Sequence, residues 1–205
     1  MLALRMYMAR LRRRRRTFFP DLMYMSVLRL IHRPLSDDDL RHILGNDIKI
    51  IKYAQLSEYD ELETLLPNAV DCCIILYEEK LDSGHWTALS RYAGRYEHFD
   101  SYGVAPDTEL HWINLAMRVR LNERTPYLSN LLKKESYIYN TVHYQSKDHD
   151  VNTCGAHVAH RLYCLQSKGM QLAGYHSYMQ DLKRESQSSY DYIVAEFVRG
   201  ELSGQ

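Results

Sequence analysis

Near the middle of the chain a two-residue turn, Ala93-Gly94, separates two β-prone runs, and it restricts the possible folds more than any other feature of the sequence. Trp86 to Tyr92 alternates in polarity, Tyr96 to Asp100 follows the turn, and the continuous β-prone run Cys72 to Tyr77 lies just upstream. A two-residue loop favours a tight hairpin whose turn matches the twist of its strands. If Ala93 and Gly94 form such a loop, Tyr92 pairs with Arg95 and His85 falls opposite Tyr102. Asp100 is then the diagonal neighbour of His85 on the same face. One more loop residue would move the two groups to opposite faces.

Helical signals surround these strands. Ser36 can cap a helix carrying Leu40, Ile43 and Leu44, with Asp39 near the positive end of the dipole and Gly45 as its stop. Ile48 to Tyr53 reads as a short strand, and Glu58 to Leu66 as a short helix that ends before Pro67. Beyond the hairpin, Pro106 and Asp107 open a helical pattern with Leu110, Ile113, Met117 and Leu121 on one face. Another turn or two of helix fits Tyr127 to Lys133, and Tyr137 to Tyr144 returns to β. A polar loop, 146–153, leads into a helix that begins at Cys154 and carries Val158, Leu162 and Leu165; a last helix covers Tyr190 to Val198. The pattern predicts an α+β fold with a central mixed sheet flanked by helices.

A chain of 205 residues can build one core without disulfides or metals. Residues 34–205 are accordingly expected to form a single domain, and residues 1–33 a basic N-terminal segment. Seven arginines fall in the first twenty residues, with no acid among them, whereas an acidic stretch opens at Ser36. The four cysteines, Cys72, Cys73, Cys154 and Cys164, lack the density and spacing of a secreted disulfide scaffold. No apolar run is long enough to span a bilayer and the N-terminus has no compact apolar signal region, so a soluble protein is expected.

Thiol chemistry needs a thiolate, which a helix N-terminus or a cation stabilises. Cys154 has such a place: it follows a polar loop, precedes Gly155 and starts an amphipathic segment. Cys73 and Cys164 lie inside apolar segments, where an inert buried thiol is the ordinary outcome. A base must sit beside the nucleophile and be oriented by a third group, and the hairpin register offers His85 and Asp100 for those roles. Glu97 is the acid to test should Asp100 prove dispensable. A zinc site formed by Cys154, His157, His160 and Cys164 is disfavoured, because a helix would scatter these residues around its circumference.

Four elements occur in order: Ser83-Gly84-His85-Trp86, Phe99-Asp100-Ser101-Tyr102-Gly103, Gln145, and Asn152-Thr153-Cys154-Gly155. Together they resemble the adenain and Ulp-type superfamily of cysteine proteases. The resemblance implies a papain-like core with the nucleophile at a helix N-terminus, with His85 as base, Asp100 as its orienting acid, Cys154 as nucleophile and Gln145 in the oxyanion hole. It also implies a substrate channel shaped by Trp86, Gly155 and Asn152. Thr153 stands where the SUMO proteases usually have Asp, and the gap from Gln145 to Cys154 is slightly longer than usual.

Within the superfamily, the small size and basic N-terminus point to the viral branch, which resembles adenovirus and virophage maturation proteases. The function this implies is cleavage of capsid precursors at Gly-containing sites, by a monomer in the virion, the host cytoplasm or a viral factory. No cofactor is required for the chemistry, although DNA or a basic peptide could activate it, and no membrane partner is expected. Arg10, Arg12, Arg13, Arg14, Arg15 and Arg16 are the candidate DNA contacts, since guanidinium groups suit phosphate oxygens. The alternatives are a SUMO or ubiquitin deconjugating protease, an acetyltransferase with a similar side-chain set, and a non-enzymatic nucleic-acid-binding virion protein.

Overall fold

The computed structural model describes residues 20–204, and its scaffold is a five-stranded sheet in the order β1-β2-β3-β4-β5. β1 (Lys49–Lys52) is parallel to β2 (Asp71–Lys80). β2, β3 (Ser83–Tyr92) and β4 (Arg95–Phe99) are antiparallel, and β5 (Tyr137–Tyr139) lies parallel to β4. The sheet is therefore mixed, and helices cover both of its faces. The predicted hairpin is present, with Tyr92 paired to Arg95 and positive φ at both Ala93 (51°) and Gly94 (74°). Two left-handed residues are what a tight turn matched to strand twist requires.

Alternation along the strands sorts the core into two parts. Ile74, Leu76, Trp86, Ala88 and Phe99 pack with α2 (Asp37–Leu44), α6 (Cys154–Lys168), α7 (Leu172–Ser186) and α8 (Tyr190–Leu202). On the other face Cys73, Ile75, Tyr77, Leu89 and Tyr96 pack with a 3₁₀ segment (Tyr53–Glu58), α3 (Leu62–Leu65) and α5 (Tyr127–Leu132). Ser36 caps α2 through a reciprocal pair with Asp39, and Gly45 ends the helix.

Several elements differ from expectation. The helix foreseen after Asp107 is divided into a 3₁₀ turn (Thr108–His111) and α4 (Leu115–Arg120), the second capped by Asn114. Asp107 precedes the first piece in a left-handed conformation and turns its carboxylate inward to accept from Tyr53 Oη (2.7 Å), Tyr77 Oη (3.1 Å) and Ser129 N (2.8 Å). β5 ends early because Asn140 takes over its pairing: the Asn140 amide donates to the Asp100 and Val142 carbonyls and its Oδ1 accepts from Val142 N. α1 (Pro20–His32) belongs to the segment read as a basic extension, yet it packs against α8, so the composition break near Pro34 is not a break in the fold. Arg10 and Arg12 to Arg16 lie outside the described residues.

Candidate active site

The hairpin register brings His85 and Asp100 together as expected. His85 Nε2–H donates to Asp100 Oδ2 at 2.7 Å, and both side chains are buried, Asp100 completely. Tyr102 N–H donates to the other oxygen, Asp100 Oδ1, at 2.5 Å. With Nε2 committed to Asp100, the Nδ1 edge of the ring is left for the thiol of Cys154, with which His85 interacts. Burial acts to lower the His85 pKa, but the Asp100 charge and hydrogen bond, followed by Cys154, outweigh it and hold the imidazole well above its ordinary value. For Asp100, burial acts upward, and the charge and hydrogen bond of His85 carry the carboxyl down to about 2. An imidazolium–carboxylate pair is the state these neighbours favour.

Cys154 is the first residue of α6. Thr153 is of a type that often caps helices, but its hydroxyl donates instead to Asp191 of α8, and no side chain caps the first turn. The N–H groups at the start of α6, which carry the positive end of the dipole, are thus open to an anion. Asp191 also accepts from His157 Nε2 (3.2 Å) and Ser146 N (3.1 Å), so one carboxylate ties down both ends of loop 146–153. An acid from the last helix thus meets the threonine that precedes Cys154. Burial pushes the Cys72 thiol up to about 11 and raises those of Cys73 and Cys164.

Residues 140–145, which follow β5, run beside the turn just beyond β4, with Tyr144 N and Gln145 N both donating to Ser101 O (2.8 and 3.1 Å). The Gln145 amide is held at both ends. Ser101 Oγ–H donates to Oε1 at 2.7 Å, and Nε2–H donates to Val151 O at 3.2 Å, which leaves the second Nε2 hydrogen available. Gln145 is 2% exposed, and Ser101, which orients it, was not foreseen as a site residue.

The three residues expected to shape a channel are all held by specific contacts. Trp86, next to His85 on β3, points to the opposite face as strand alternation requires; it is buried and donates Nε1–H to Leu35 O at 3.0 Å. Gly155 lies against it, since a Cβ there would come within 3.1 Å of both Trp86 Cδ1 and Leu35 Cβ. Asn152 fastens the loop to α1: its N–H donates to Ile31 O (2.8 Å), its amide donates to His32 O (3.0 Å), and His32 Nδ1–H donates to Asp150 O (2.7 Å). The aromatic neighbours of His85 are Tyr102, stacked on its ring at 5.0 Å, and Trp112, edge-on at 6.5 Å and 51% exposed. Glu97, the reserve acid, faces away and forms a buried two-pronged pair with Arg161, at 2.7 Å for each contact.

His85, Asp100 and Glu109 bring three donor atoms within 4.8 Å of one another. A metal ion there would have to replace the 2.7 Å His85–Asp100 hydrogen bond. No helix among the described residues is long and apolar enough to cross a membrane. No family model matches the chain. Among curated proteins, uncharacterized protein V9 of Sputnik virophage is 33% identical over 151 residues, a match covering 72% of this chain and 84% of that protein.

Proposed function

The chain belongs to the family of the virophage V9 protein, and we propose that it is a cysteine endopeptidase with a papain-like core in the adenain arrangement. The observation that carries this reading is the His85–Asp100 hydrogen bond of 2.7 Å beside a cysteine at an uncapped helix start. In the proposed reaction, His85 Nδ1 takes the Cys154 proton and the thiolate attacks the substrate carbonyl. The Cys154 backbone N–H and the free Gln145 Nε2–H stabilise the oxyanion. The imidazolium, held by Asp100, gives its proton to the leaving amine, and water then hydrolyses the thioester with His85 again as base.

The virophage relationship supports a role among viral proteins, and we take the substrates to be virion precursor polypeptides cut at small, Gly-containing sites. DNA bound by the arginine tract would bring the enzyme to them. The test is cleavage of a peptide library by purified protein. Cys154→Ala and His85→Ala should each abolish turnover, and the double variant should lose little more than either, because the groups act as a unit. Full activity in Cys154→Ala, or losses that simply multiply, would overturn the assignment.

A further inference from the structure

We propose that Glu109, buried beside the His85–Asp100 pair, is a positioning residue that keeps its proton and donates it in a hydrogen bond to Asp100; the inference rests on the peptidase reading above. Glu109 lies on the 3₁₀ turn that follows the left-handed Asp107 and is 1% exposed. Its carboxyl, the Asp100 carboxylate and a ring nitrogen of His85 converge within 4.8 Å. Two carboxylates that close and away from water cannot both be charged. Which of them keeps the proton follows from their partners. Asp100 accepts from His85 Nε2 and Tyr102 N, whereas both Glu109 oxygens are buried without a donor. The charge therefore belongs to Asp100 and the proton to Glu109, whose single O–H has Asp100 as the acceptor within reach.

The surroundings agree with this division. Burial raises the Glu109 pKa most, the Asp100 charge raises it further, and His85 opposes them without prevailing. Tyr77 faces Glu109 from β2, and Asp107 and His98 stand around the same pair, with burial holding His98 down at about 4 and so neutral. With Nε2–H, Tyr102 N–H and Glu109 O–H all donating, the Asp100 carboxylate has one orientation. The imidazolium formed when Cys154 loses its proton thus stays aligned.

The test compares Glu109→Gln, whose amide still donates, with Glu109→Met, which has similar length and no donor. Two readouts are used: peptide turnover, and the rate of Cys154 alkylation by iodoacetamide against pH. In the Gln variant both pH profiles should superimpose on the wild type within about threefold, since one donor replaces another. In the Met variant kcat should fall roughly tenfold to a hundredfold with KM little changed, as expected for loss of a hydrogen bond to a charged group that matters in the transition state.

A shift of the Gln variant's pH limb by about one unit or more would mean that Glu109 is normally charged, and would overturn the proposal. So would wild-type kinetics in both variants, or a Gln variant as impaired as Met while melting at the wild-type temperature. If the Met variant does not fold, the Gln profile decides alone. A wild-type chain that cleaves no peptide overturns the peptidase reading only, and the alkylation profiles then decide on Glu109.

Discussion

Asp191 offers the sharpest test of how the site is held. It lies in the first turn of the last helix, is 5% exposed, and accepts from Thr153 Oγ1, His157 Nε2 and Ser146 N. A hydrogen bond to a charged partner contributes roughly 1.5–3 kcal/mol, and a buried donor left alone costs about 1–3 kcal/mol. These contributions overlap, and Ser146 can turn to water, so Asp191→Ala should lower the unfolding free energy by about 3–5 kcal/mol. Asp191→Asn keeps an acceptor of the same shape without the charge and should lose about 1–2 kcal/mol.

The consequence for catalysis follows from position. The loop fastened by Asp191 carries Gln145 at one end and Cys154 at the other, and a misplacement near 1 Å can cost about 100-fold in rate. Turnover of Asp191→Ala, measured well below its melting temperature, should therefore fall roughly tenfold to a hundredfold. Guanidinium titrations with unchanged slope would give the stability change. A cycle with Thr153→Val would isolate the coupling. Burial works against ionisation of Asp191, but His157, Thr153 and Ser146 hold its pKa below 3.8. Its stabilisation is thus present above the unfolded value and lost as pH falls through the folded one. An Asp191→Ala protein within about 1 kcal/mol of wild type, or with undiminished turnover, would refute this reasoning.

Gly155→Ala places a methyl group 3.1 Å from Leu35 Cβ and Trp86 Cδ1; overpacking should cost about 1–3 kcal/mol by thermal denaturation and slow peptide turnover by displacing the start of α6. His98 is pushed down to about 4 by burial, and neither ring nitrogen has a partner. A base depressed in the fold resists protonation, so its contribution is complete above about pH 6.5 and falls as the pH drops towards 4, by about 2 kcal/mol at pH 5. Denaturant titrations should show that His98→Leu flattens the slope in that window, and an unchanged slope would exclude His98 as its source. The six arginines of Arg10 and Arg12 to Arg16 should bind duplex DNA with a log affinity against log salt slope near about −5. Fluorescence anisotropy should lose this binding when Arg12 to Arg16 become Ala, with cleavage of a free peptide unaffected.

The His85–Asp100 contact was legible because a two-residue turn leaves no freedom. Once Tyr92 pairs with Arg95 the register follows by counting; the structure keeps it as far as Ala88 opposite Phe99, and His85 meets Asp100 just beyond. Ser36, Gly45 and the start of α6 were legible for a similar reason, since caps and stops act within one helical turn. Trp86 was harder to place: its neighbour in sequence is His85, but period-two alternation sends the two side chains to opposite faces. α7 went unseen, although Gly169 in left-handed conformation and the buried stripe Leu172, Tyr175, Met179 and Leu182 signal a helix stop followed by an amphipathic start.

The supporting polar groups had no such signal. Glu109 lies beside Asp100 on a 3₁₀ turn that follows the left-handed Asp107, and Asp107 is held by hydroxyls from Tyr53 and Tyr77 on elements far away in the chain. Asp191 reaches Thr153 across 38 residues and Ser101 reaches Gln145 across 44. No periodicity or register links such pairs, since each is separated by loops whose length leaves the relative placement of their ends open. Local chemistry in the sequence can therefore offer candidates for a nucleophile, a base and an acid. The groups that fix their orientation come from whatever the fold happens to bring near, and they become readable only as buried polar atoms in need of partners.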